Sequence, residues 1–108
     1  MKKFLAIAAI ATALVGLARD ADAVSFNCGG HLTLTETVIC QNQNLGDLDS
    51  RMAFTYRQAL QDSPGASGKI NRSQFGWLSY RNSCGANVSC LTRAYNHRID
   101  VLITYTNL

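Results

Sequence analysis

The residues in this chain best able to do chemistry are four cysteines, Cys28, Cys40, Cys84 and Cys90, and a small set of charged side chains. An even number of cysteines in a short exported chain reads as two disulfides, because a small core is marginal and an oxidising compartment keeps such bonds. Four cysteines allow three connectivities. Spacings of 12 and 6 favour the local pairs Cys28–Cys40 and Cys84–Cys90. A zinc site fits poorly: no C-x2-C spacing occurs, and His31 and His97 are remote from each other. No metal or cofactor is expected.

The charged residues are notable for where helical periodicity puts them. Asp49 falls between Leu45, Met52, Tyr56 and Leu60, Arg81 near the centre of a stripe with Ile70 and Trp77, and Arg98 among Leu91, Tyr95 and Leu102. Gln74 lies beside Arg81 on that wheel. Isolated buried charges are costly, so these should be paired. The economical assignment is a structural ion-pair network in which Asp49 and Glu36 accept from Arg81 and Arg98. A carboxylate held by arginines is kept ionised, the wrong state for a general acid, and no nucleophile or base accompanies the set.

Other catalytic patterns are missing. No serine stands in a Gly-x-Ser-x-Gly context, and no Gly-rich phosphate loop occurs. His31 and His97 read as ordinary surface residues. Asn71-Arg72-Ser73 and Asn87-Val88-Ser89 match the short glycosylation sequon, the first within a predicted helix. The chain is not expected to be an enzyme, and an unrecognised hydrolase is the weakest of the functions considered. Two outward aromatics are better clues. Phe54 lies opposite the inner stripe of its helix and Phe75 outside that of its own, marking both as candidate partner-binding residues.

The elements that must position these residues are helical. Met1-Lys2-Lys3, the apolar run Phe4–Leu17 and the small-x-small site Ala21-Asp22-Ala23 read as a cleavable signal peptide over residues 1–23. A run of about 14 apolar residues is too short to span a bilayer. Residues 24–108 then form one small domain with seven basic and five acidic residues, a net charge of +2. Its basic residues are scattered, which argues against nucleic-acid or polybasic membrane binding. No membrane anchor is expected.

Thr33-Leu34-Thr35-Glu36 is a capping box that should open a short helix ending near Cys40. Asn44 is the expected N-cap of a second helix, Leu45–Gln61, whose inner face carries Leu45, Leu48, Met52, Tyr56, Ala59 and Leu60. Ser63-Pro64-Gly65-Ala66-Ser67-Gly68 breaks the chain into an antiparallel pair. A third helix is predicted over Lys69–Asn82, with Ile70, Trp77 and Leu78 inward, and a fourth over Cys90–Tyr105, with Leu91, Ala94, Tyr95, Ile99 and Leu102 inward. The expected fold is all-α: a small disulfide-stapled bundle of about four helices.

The ordered set Cys28, Glu36-Thr37-Val38-Ile39-Cys40, Leu45, Leu48-Asp49, Tyr56-Arg57, Gln74, Trp77-Leu78, Arg81, Cys84, Cys90-Leu91, Tyr95 and Arg98-Ile99 resembles the LprI-type lysozyme inhibitor family. The resemblance runs through essentially all of residues 24–108. It implies a four-helix, disulfide-stapled module of bacterial envelope and secreted proteins, with lysozyme or another envelope or extracellular protein as partner. The leading expectation is a secreted or periplasmic protein-binding module that inhibits lysozyme by occluding its cleft. The alternative is a cell-envelope structural or interaction domain without lysozyme affinity. No inhibitory residue set transfers onto these positions. The inhibitor that names the family is a lipoprotein. Here Cys28 follows Ser25-Phe26-Asn27 without a lipobox, which points to a soluble periplasmic or secreted form. A net charge of +2 supplies no long-range attraction to basic lysozymes.

Overall fold

The computed structural model describes residues 24–108; the expected signal peptide lies outside the described residues. Four α-helices follow in order: α1 Leu34–Gln41, α2 Gln43–Asp62, α3 Ser67–Ser83 and α4 Val88–Ile103, with a 3-10 turn at Pro64–Ala66 between α2 and α3. No strand occurs among the described residues. The all-α expectation holds.

Local chemistry explains the boundaries. Thr33 caps α1 with the reciprocal pair of a capping box: the Glu36 N–H donates to Thr33 Oγ1 (3.1 Å) and the Thr33 N–H to Glu36 Oε1 (3.0 Å). α1 and α2 are separated by Asn42 alone. Its extended backbone ends the first helix, and its side chain accepts from the Leu45 N–H at 3.0 Å to open the second. The cap is therefore Asn42 and not Asn44, so α2 starts two residues before the predicted Leu45. Both asparagines satisfy the preference for a short polar side chain. Only the one preceding the first helical φ/ψ can reach the orphan N–H groups.

The remaining connections are equally short. Ser63 closes α2, and its Oγ donates to the Tyr105 carbonyl at 2.7 Å, tying that corner to the end of α4. Gly85 follows α3 with φ +59°, a left-handed conformation suited to a residue without Cβ just past a helix end. Asn87 then caps α4 by accepting from the Cys90 N–H at 2.9 Å, which starts that helix at Val88 rather than Cys90.

The disulfides are Cys28–Cys40 and Cys84–Cys90, with Cα–Cα separations of 5.9 and 5.6 Å. The first fastens the non-helical segment before α1 to the end of that helix. The second brackets the α3–α4 turn. α4 packs chiefly on α2, with α3 and α1 against the same centre. The core joins Ile39 of α1, Leu45, Met52 and Ala59 of α2, Ile70 and Trp77 of α3, and Leu91, Tyr95, Ile99 and Leu102 of α4. Leu48, Tyr56, Leu60 and Leu78, predicted inward, are partly buried at its edge. Trp77 and Tyr95 meet edge to face at 5.1 Å, and the Trp77 indole N–H donates to the Ala94 carbonyl at 3.1 Å.

Candidate functional site: a buried polar centre and two exposed aromatic positions

Every main element contributes a side chain to one polar centre. Asp49 of α2 is fully buried, and its Oδ1 accepts from the Tyr95 hydroxyl of α4 at 2.6 Å. Its Oδ2 accepts from the Ser25 N–H of the N-terminal segment. Arg81 of α3, 2% exposed, brings Nη1 to 4.0 Å from Asp49 Oδ1 and to 3.5 Å from the Tyr95 hydroxyl. Its Nη2 lies 3.6 Å from Glu36 Oε2 of α1. The guanidinium also donates from Nε and Nη2 to Asn82 Oδ1, at 3.1 and 2.8 Å, and sits over the rings of Phe26 and Trp77. Glu36 thus serves two roles, one carboxylate oxygen closing the capping box and the other facing Arg81.

Arg98 does not join this network, which corrects the expected pairing. It is buried, but its Nε donates to Gln74 Oε1 (2.8 Å) and its Nη2 to Ser73 Oγ (3.0 Å) and the Ile70 carbonyl (3.5 Å). No ion pair with a carboxylate forms at Arg98 among the described residues. Neutral oxygens of α3 take the place of the acid, and burial lowers the Arg98 pKa from its ordinary value. Gln74 completes its own bonding by donating to the Met52 sulfur at 3.2 Å.

Tyr95 was expected only as an apolar member of the α4 face, yet it makes the shortest side-chain contact to Asp49. The signal in the sequence is chemical: a buried tyrosine needs a partner for its hydroxyl, and Asp49 is an inward carboxylate. Ser25 gave no such signal, because its contribution is a backbone N–H.

Burial pushes the Tyr95 phenol far above the ordinary tyrosine value, and the neighbouring Asp49 charge pushes it further. The unfolded phenol ionises near 10.0 while the folded one stays neutral, so this group's stabilisation is intact below pH 10 and declines above it. The expected slope is about 1.4 kcal/mol per pH unit above that point. Urea melts from pH 9 to 11 should show the loss in the parent and a smaller one in Tyr95→Phe. Equal slopes in the two proteins would reject the assignment.

Asp49 is sealed by its donors, and no group of three or more potential metal ligands exists among the described residues. On the surface, Phe54 of α2 is 49% exposed and Phe75 of α3 is 76% exposed. His31 and His97 are both exposed. The sequon asparagines are engaged: Asn87 caps α4, and Asn71 Oδ1 accepts from the Tyr56 hydroxyl.

The family model described as "Lysozyme inhibitor LprI" matches residues 28–102. The chain belongs to the LprI lysozyme inhibitor family. That span starts at the first disulfide cysteine and ends at Leu102, taking in all four helices to within a residue of the last. Among curated relatives, the LprI lipoproteins of Mycobacterium tuberculosis and Mycobacterium bovis are each 27% identical over 78 residues, 69% of this chain. The chain spans only about two-fifths of those relatives' length (39%). No solved structure matches it. The matched span contains Glu36, Asp49, Arg81 and Tyr95, the residues that build the polar centre. No helix among the described residues is long and apolar enough to cross a membrane.

Proposed function

We propose that this domain is an exported protein-binding module that inhibits lysozyme by covering its cleft, with residues 1–23 removed as a signal peptide and residues 24–108 as the working domain. The family match over residues 28–102 carries this reading. Location in the periplasm or outside the cell follows from the same proposal and from the disulfides, which persist in oxidising compartments. The relatives are lipoproteins by name. Cys28 of this chain is committed to Cys40, so its sulfur is not free to carry a thioether-linked lipid.

The proposed contact residues are Phe54 and Phe75. Large aromatics are the residues that dominate protein interfaces when a partner buries them, and exposed ones on rigid helices lose little freedom on binding. Attachment through them relies on shape and apolar area, which suits a domain of low net charge.

A lysozyme activity assay with the exported protein, paired with calorimetry, tests the proposal against one animal and one bacterial enzyme. Inhibition is expected, with Phe54→Glu and Phe75→Glu each weakening it about tenfold or more without moving the melting temperature. Absence of inhibition at micromolar excess of the domain would reject the lysozyme reading and leave an envelope interaction domain.

A further inference from the structure

A second feature is the groove between α3 and α4, which shares Trp77 with the polar centre. Ser73, Trp77 and Tyr80 of α3 line it with His97, Arg98 and Val101 of α4, around an open volume of about 390 Å³. That size admits a small molecule or a single side chain and not a folded segment. Its walls combine aromatic surface with a guanidinium, and no acidic residue lines it.

Arg98 gives the groove its chemical bias. Nε and Nη2 are occupied by Gln74, Ser73 and the Ile70 carbonyl, whereas Nη1 has no hydrogen-bond partner among the described residues. No buried side-chain nitrogen among them is left unsatisfied, so Nη1 keeps access to solvent. A cation that is 4% exposed, faces only neutral oxygens and retains free N–H donors is electrostatically incomplete. An anion completes it, and carboxylates match guanidinium donors in strength and geometry. Trp77 and the exposed Tyr80, one helical turn apart, offer ring surface beside that charge.

We infer that the α3–α4 groove binds a small carboxylate carrying a ring, with the carboxylate on Arg98 and the ring against Trp77 and Tyr80. The site is separate from Phe54 and Phe75 and does not depend on lysozyme binding. Trp77 is the chain's single tryptophan, so its fluorescence reports occupancy directly.

Phenylacetate and its uncharged analogue phenylacetamide are the probes, titrated into the exported protein with fluorescence and amide chemical shifts as readouts. Saturable binding of phenylacetate is expected, at least tenfold tighter than phenylacetamide, with shifts confined to residues near Ser73, Trp77, Tyr80 and Val101. Arg98→Gln should abolish the preference for the charged probe. If Arg98→Gln does not fold, Tyr80→Ala, at an exposed position, should still weaken phenylacetate binding severalfold with the fold intact. Equal affinity for the two probes, a non-saturable response, or shifts elsewhere on the molecule would overturn the assignment, as would a folded Arg98→Gln that binds unchanged.

Discussion

Replacing Asp49 with alanine is expected to remove about 3–5 kcal/mol, a large share of this domain's stability. The substitution removes a fully buried carboxylate, leaves the Tyr95 hydroxyl and the Ser25 N–H without their acceptor, and takes away the negative charge 4.0 Å from Arg81 Nη1. Removing one partner of a buried charge pair costs about 3–5 kcal/mol, because the remaining charge stays desolvated. A domain of this size has only about 4–13 kcal/mol in total. Arg81 retains Glu36 at 3.6 Å and Asn82, which limits the loss at the arginine.

The measurement is a thermal or urea melt of Asp49→Ala beside Tyr95→Phe and Asp49→Asn. A drop in melting temperature of more than about 10 °C is expected for alanine. Tyr95→Phe should cost about 1–2 kcal/mol, since it removes the hydrogen bond to Asp49 and the long one from Arg81 Nη1 but leaves the Arg81–Asp49 charge pair in place. Asp49→Asn should fall between them, keeping an acceptor for Tyr95 while losing the charge opposite Arg81. The double variant Asp49→Ala/Tyr95→Phe should be less destabilised than the sum, because the orphaned hydroxyl is gone. An Asp49→Ala protein with the parent's stability would remove the polar centre from the account of this fold.

The same residues show how far the sequence could be read. Helical spacing placed Asp49, Arg81 and Arg98 inward, and all three are buried. Spacing along one helix states which side faces the core but not which neighbour lies across it. That is why Arg98 was expected opposite a carboxylate and is found opposite Gln74 and Ser73. Both arginines project from inward faces, so the offsets of α3 and α4 along α2 decide which of them meets Asp49. The capping box at Thr33 was legible because both halves lie within four residues. Asn87 matches a sequon, whereas its physical role is the cap of α4. The groove holding Arg98 was invisible for a related reason: its walls come from two helices, and neither helix alone carries an unusual pattern.

Loss of the Cys28–Cys40 disulfide should be the more damaging of the two possible disulfide deletions, and loss of both should leave no folded domain. Chain-entropy arguments assign about 2–3 kcal/mol to each closed loop, slightly more to the separation of 12 than to that of 6. The structural consequences differ more than the loop lengths do. Cys84–Cys90 braces a turn already fixed by Gly85, by the Asn87 cap and by Thr35 Oγ1, which donates to the Gly85 carbonyl at 2.8 Å. Cys28–Cys40 retains a segment with no helix of its own, whose Phe26 covers Arg81 and whose Ser25 N–H donates to Asp49. Releasing that segment therefore weakens the polar centre as well as lengthening the free chain. Melts of Cys28→Ala/Cys40→Ala and Cys84→Ala/Cys90→Ala should rank in that order. Adding Asp49→Ala to the first pair should cost less than adding it to the second, because the Ser25 contact has already been lost. The reverse ranking, or strict additivity in both backgrounds, would show that the N-terminal segment does not support the centre and that the two disulfides act on the unfolded chain alone.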